Sequence, residues 1–73
     1  MIWDYKNLKI EIEEIVTGIE KAAIERDKKK FMLGTLRFTK ILSQSPGVLP
    51  LEDLNMYTSR FREAKRMGGY TKE

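Results

Sequence analysis

The chain lacks the residues with which small proteins most often cross-link themselves or bind a metal. Among its 73 residues there is no cysteine and no histidine, so no disulfide and no thiolate or imidazole metal site can form. A domain of this size buries only about 60% of the surface that its unfolded chain exposes, which leaves its stability thin. Association with itself or with a partner is the remaining stabilising route. We expect no metal and no cofactor.

Long apolar runs are also missing. No segment reaches the roughly 20 consecutive apolar residues of a membrane span. The N-terminus has no basic stretch followed by an apolar run, as a secretory signal would have. We therefore predict a protein that neither crosses nor binds a membrane. The absence of cysteine fits a reducing compartment, and we expect the protein to be cytoplasmic.

Groups that carry out catalysis are scarce. Glu11, Glu13 and Glu14 fall on one predicted helix, and no second acidic cluster is available to face them. No glycine-rich loop precedes a helix as in a phosphate-binding site, and the Gly68–Gly69 pair follows one instead. Without histidine or cysteine, no nucleophile has a candidate base. The sequence thus predicts no catalytic residue, no enzymatic activity and no small-molecule substrate.

Charge is unevenly distributed along the chain, whose net charge is +3. Residues 1–25 hold six carboxylates against three lysines, whereas residues 26–49 hold six cations against Asp27 alone. Such asymmetry indicates one of two arrangements. Either the two segments attract each other, or the basic segment meets an acidic partner.

Apolar residues at alternating spacings of three and four predict a first helix from about Asp4 to about Glu25. Asp4 is suited to the N-cap position. Gly18 lies within this helix, at a cost of about 1 kcal/mol relative to alanine. It either marks the close approach of a neighbouring helix or is simply tolerated. The apolar stripe consists of Tyr5, Leu8, Ile12, Ile15, Ile19 and Ala22.

A run of charged residues from Glu25 to Lys30 interrupts this pattern. The apolar residues resume at Phe31, Phe38 and Leu42 in a different register. One long helix with two faces would explain the shift, as would a break near Asp27 to Lys30 after which a second helix folds back. We favour the break, because a single helix of that length could not bury itself without a partner.

The last part of the chain predicts a loop followed by a third helix. The loop runs from Ser43 to Pro50, with Pro50 suited to the first helical position. Gly68–Gly69 ends the helix, and residues 70–73 are expected to form a frayed tail. The fold class is therefore all-α, one domain over 1–73 with a long N-terminal helix, a middle helix and a C-terminal helix in a hairpin or small bundle. The stripe of the last helix is Leu51, Leu54, Tyr57, Phe61 and Ala64.

The first helix suggests a function in binding. Strict heptad-like spacing is typical of a coiled-coil seam, which suits a homodimeric bundle or a groove on a partner. Alternatively, the chain's own helices fill the seam. We predict a protein–protein interaction module or regulator, such as an inhibitor, adaptor or accessory subunit, that binds a protein partner, a second copy of itself as a homo-oligomer, or both. The predicted interaction seam is Leu8, Ile12, Ile15 and Ile19.

A small DNA- or RNA-binding regulator is the alternative. The middle and last helices have the outline of a helix-turn-helix with a basic second helix. Against it, the connection 43–50 exceeds the usual three- or four-residue turn, and Glu52, Asp53 and Glu63 reduce the positive charge of the last helix. The candidate nucleic-acid contacts are Lys28, Lys29, Lys30, Arg60, Arg62 and Arg66.

Overall fold

The computed structural model describes residues 3–70 of the chain. This part contains three helices and no strand: α1 (Tyr5–Ile24), α2 (Lys28–Gln44) and α3 (Leu51–Met67). The predicted all-α fold is confirmed. None of the helices within 3–70 is both long and apolar enough to traverse a bilayer.

The turn between α1 and α2 confirms the predicted break and places it slightly earlier. α1 ends at Ile24, and Arg26 adopts a left-handed conformation with φ +56°, which is uncommon for a residue with a side chain. The Asp27 amide donates to the Ala22 carbonyl at 2.9 Å and closes the turn. The Asp27 carboxylate then caps α2 by accepting from the Lys30 amide at 3.1 Å. Lys28 therefore begins α2 and is not part of the turn.

The start of α1 is as predicted, and the start of α3 differs by one position. The Asp4 carboxylate caps α1 by accepting from the Asn7 amide at 2.8 Å. Pro50 occupies the N-cap position of α3, not its first helical position, and its carbonyl accepts from the Leu54 amide at 3.0 Å. Leu51, predicted to belong to the apolar stripe of α3, is 72% exposed at the first position of the helix.

The chain end folds back onto the bundle as far as it is described. Gly69 has φ +76°, and the Tyr70 amide donates to the Lys65 carbonyl at 2.9 Å. These features close α3 in the manner of a Schellman motif. Tyr70 is half-buried, so the frayed tail predicted for 70–73 does not include it; the rest of that segment lies outside the described residues.

α1 lies at the centre of the fold. It packs against both α2 and α3, whereas no Cα atom of α2 lies within 8 Å of one in α3. The outer helices meet through aromatic side chains, with the Phe38 and Phe61 ring centroids 5.5 Å apart and those of Phe31 and Phe61 6.1 Å apart. The buried residues of α1 are Leu8, Ile12, Ile15, Val16, Ile19, Ala22 and Ala23.

A close approach between helices occurs at a glycine, but not at Gly18. Gly18 is exposed, and a Cβ added there would meet nothing within 4 Å. A Cβ added at Gly34 of α2 would lie 2.6 Å from Cγ1 of Ile19. Because Ile19 is fully buried, it has little room to move. Gly34 therefore allows α2 to lie close against α1.

Candidate interaction site

The predicted interaction seam of α1 is part of the core of the single chain. Leu8, Ile12 and Ile19 are fully buried, and Ile15 is only 6% exposed. α2 and α3 cover the seam from two sides, so the chain's own helices fill it. A partner or a second copy would consequently have to bind another surface of the folded protein.

Arg60, predicted to contact nucleic acid, instead connects α3 to α1. Its Nε and Nη2 donate to the two carboxylate oxygens of Glu20 at 3.0 and 2.7 Å, and its Nη1 donates to Glu13 Oε2 at 2.8 Å. The hydrogen bonds to Glu20 and then to Glu13 raise the pKa of Arg60 above its ordinary value. Arg60 in turn lowers the pKa of Glu13. With both carboxylates engaged, Arg60 is a structural residue in this fold.

The other five candidate nucleic-acid contacts lie on the surface. Arg66 Nη2 donates to Glu63 Oε1 at 2.6 Å, and Lys30 Nζ lies 4.0 Å from the Asp27 carboxylate. The bond to Glu63 raises the pKa of Arg66. The remaining three are exposed, and none of them has a carboxylate within 4 Å among residues 3–70. They are Lys28, Lys29 and Arg62.

The arrangement of α2 and α3 is not that of a helix-turn-helix. In that motif a turn of three or four residues joins two helices that pack together. Here the connection comprises residues 45–50, and the aromatic side chains keep the two helix backbones apart. The connection places α3 on a different side of α1 from α2. There Arg60 of α3 donates a hydrogen bond to Glu20 of α1.

The outward side of α2 carries apolar residues that the core does not use. Met32, Leu33 and Leu36 are 55, 55 and 66% exposed, and their spacing of three and four makes them neighbours on the helix surface. We call these three residues the α2 strip. α2 contains five cations and no carboxylate, so the strip lies in a positively charged environment. The predicted interaction seam and the candidate nucleic-acid contacts do not include these three residues.

A groove of about 560 Å³ runs between α2 and α3, whose backbones stay more than 8 Å apart. Phe31 and Phe61 form its floor, and Met32 and Leu36 of the α2 strip form one wall. The two phenyl rings of the floor stack on each other, with their centroids 6.1 Å apart. The groove is thus preformed in the single chain.

Positive charge and an aromatic residue mark one end of this groove. Lys28 lies at the start of α2 and Lys65 near the end of α3, and both line the groove. Tyr70 also lines the groove and packs on Phe31, with ring centroids 4.4 Å apart. No lining residue within the described part of the chain is acidic. The groove therefore combines an apolar interior with a cationic rim.

Within 3–70 no group of three or more acidic side chains is placed to hold a metal ion. The hydroxyl of Tyr57 is buried without a hydrogen-bond partner among these residues. Burial raises the pKa of Tyr57 above its ordinary value, which already keeps the phenol neutral at physiological pH.

Residues 3–70 thus form a three-helix bundle with a preformed, cation-rimmed apolar groove. The chain matches no protein-family model, and its comparison with curated proteins and with solved structures finds no significant similarity. The function must therefore be argued from the surface of the molecule itself.

Proposed function

We propose that this protein is a protein-interaction module, acting as a regulator or accessory subunit without catalysis of its own. Its binding surface is the α2 strip together with the adjoining groove. The observation that carries this proposal is the presence of three neighbouring large apolar side chains, each more than half exposed, on a helix without any carboxylate.

The exposed apolar cluster beside the groove favours a protein partner. Single exposed apolar residues are ordinary, whereas a cluster beside a preformed groove is typical of an interaction site. Burying the α2 strip against a partner would remove it from water and supply the main driving force for association. The surrounding cations would steer an acidic partner toward it and contribute to specificity.

Nucleic-acid binding is the second candidate, favoured by the five cations of α2. A phosphate backbone, however, gains little from the apolar strip in their midst, and Phe31 is too deeply buried to stack on a base. Self-association through the α2 strip is a further outcome to be tested, since the seam of α1 is occupied within the chain.

Site-specific photo-crosslinking in the host cell tests the proposal. A photoreactive amino acid replaces Leu36 in the α2 strip, and a matched control carries it at Thr17 on the exposed side of α1. We expect a discrete, protease-sensitive adduct from position 36 and none from position 17. Adding Met32→Glu and Leu33→Glu to the position-36 protein should abolish the adduct, because both changes place charge in the apolar contact.

Three other results would contradict the protein-partner proposal. Equal adducts from both positions would mean that labelling is non-specific. A nuclease-sensitive adduct would favour the nucleic-acid candidate. An adduct of twice the chain's mass would identify a second copy as the occupant.

A further inference from the structure

We propose that the groove between α2 and α3 takes an acidic amphipathic helix of the partner protein, which completes a four-helix bundle. This inference rests on the proposed function and specifies the chemistry of the partner. It follows from the shape of the groove, from its charge and from what a second copy of the chain presents.

The helix packing leaves a place for a fourth helix. α2 and α3 both pack on α1, yet their backbones stay more than 8 Å apart along their whole length. Neighbouring helices in a bundle pack about 8–10 Å apart, so a helix laid over the Phe31–Phe61 floor could contact both outer helices. It would bury Met32 and Leu36, which are more than half exposed.

The length of the groove limits the binding motif. Its wall on α2 runs from Lys28 to Leu36, about 12 Å along the helix axis at about 1.5 Å per residue. This length matches roughly two turns of a guest helix. The guest therefore presents two or three large apolar side chains at positions i, i+3 or i+4, and i+7.

Charge complementarity determines the flanks of the guest helix. Lys28 and Lys65 line the groove from opposite sides, and none of its described lining residues is acidic. Arg62 lies three residues before Lys65 on α3, so it extends the cationic rim along the same side of that helix. Glutamates or aspartates beside the apolar positions of the guest would pair with this rim.

The outer side of α1 in a second copy of the chain does not present such a helix. On the outer side of α1, Ile10 and Ile24 are exposed but lie roughly four turns apart, twice the length of the groove. Two of the carboxylates near this face, Glu13 and Glu20, are held by Arg60. The groove therefore fits a helix of a different protein better than it fits α1 of a second copy.

A pair of synthetic peptides tests the inference. Both are fluorescently labelled helical peptides of about four turns with leucine at i, i+4 and i+7; one carries glutamate at the flanking positions and the other lysine. We expect the acidic peptide to bind roughly tenfold more tightly than the basic one at low salt, measured by fluorescence anisotropy, and this difference to shrink as salt rises.

Variants of the groove sharpen the test. Leu36→Asp should weaken binding of the acidic peptide by about tenfold or more, because it places a carboxylate in the apolar wall. The double variant Lys28→Glu, Lys65→Glu should reverse the preference and bind the basic peptide more tightly. Circular dichroism verifies the fold, and the single variant Lys28→Glu serves if the double variant is unfolded. The matched control, Thr17→Asp on the outer side of α1, should leave both affinities unchanged.

The outcomes separate this inference from the proposed function. If neither peptide binds, or if the charge reversal has no effect, the acidic-helix assignment is overturned, while a specific protein adduct at position 36 in cells would still support an interaction module. If the chain sediments as a dimer that Leu36→Asp dissociates, the occupant is a second copy and the inference fails. Reversal of the peptide preference supports it.

Discussion

The two interfaces of α1 are held together in different ways. Towards α3, Arg60 makes three hydrogen bonds to Glu13 and Glu20, and the Tyr5 hydroxyl donates to Asp53 Oδ2 at 2.6 Å. Towards α2, the Arg37–Glu11 pair is separated by 3.8 Å. That interface relies instead on close packing, with Gly34 against Ile19.

The difference follows from what each outer helix can bury. α2 buries three large side chains, Phe31, Phe38 and Ile41, whereas the fully buried residues of α3 are Tyr57 and Ala64. Apolar packing positions α2 without specific polar contacts. α3 has a smaller apolar contact, and directional hydrogen bonds fix its position and rotation. The two helices should therefore respond differently to the same kind of substitution.

The largest expected effect on the free energy of unfolding is at the interface between α1 and α2. Gly34→Val places side-chain atoms where Ile19 already lies, and we expect it to lower the free energy of unfolding by about 2–3 kcal/mol, the upper range for overpacking. Gly18→Val is the matched control in open space, with an expected change of less than about 0.5 kcal/mol. Urea unfolding followed by circular dichroism measures both. Equal losses at the two positions would refute the close approach of α2 to α1.

The second-largest expected effect on stability is at the interface between α1 and α3, where Arg60 lies. Arg60→Ala removes three hydrogen bonds and leaves Glu13 and Glu20 unpaired, so we expect a loss of about 1–2 kcal/mol. Arg37→Ala should cost less than about 0.5 kcal/mol, because this side chain is 67% exposed and its ion pair is long. Arg60→Lys should not restore stability, since an ammonium group cannot bind Glu20 in a bidentate manner. Indistinguishable values for Arg60→Ala and Arg37→Ala, measured by urea unfolding, would remove the contrast between the two interfaces.

The smallest expected effect is a dependence of stability on pH, which arises at the interface between α1 and α3. Arg60, aided by Thr17, holds the pKa of Glu13 below its ordinary value in the folded protein. Ionised Glu13 therefore stabilises the fold above the pKa of the unfolded chain, about 4.3, and this contribution is lost as the pH falls through the folded pKa. We expect Glu13→Gln to lose less stability than the wild type between about pH 5 and pH 3, by less than about 1 kcal/mol because solvent screens the pair.

Thermal unfolding across this pH range measures the effect. Glu14→Gln, at the neighbouring position and with its side chain exposed, is the matched control and should follow the wild-type curve. A Glu13→Gln curve parallel to that of the wild type would show that the Arg60–Glu13 bond contributes nothing to the pH dependence.

Local signals in the sequence predicted most of the fold. Asp4 as a cap, the break after the first helix and the Gly68–Gly69 end of α3 depend on interactions within a few residues, and the structure confirms them. The left-handed residue of the first turn was not predictable, because Arg26 is not a residue type that favours positive φ.

Features that depend on how the helices pack against one another were harder to predict from the sequence. Both Gly18 and Gly34 lie within helical patterns, and only the three-dimensional packing shows that Gly34 is the one in contact. The role of Arg60 had a detectable signal: Glu13 and Glu20 are two turns apart on one side of α1, and the first segment has an excess of carboxylates. The groove has no signal in the sequence, since it arises from the spacing of α2 and α3.

The central position of α1 has a consequence for how the protein opens and closes. Apart from the aromatic contacts through Phe61 and Tyr70, α2 and α3 are joined through α1, so either outer helix can detach while the other stays docked. Partial opening of this kind costs less free energy than unfolding the whole domain. A guest helix bound to both outer helices would suppress both openings at once, so binding would make the three helices unfold as one cooperative unit.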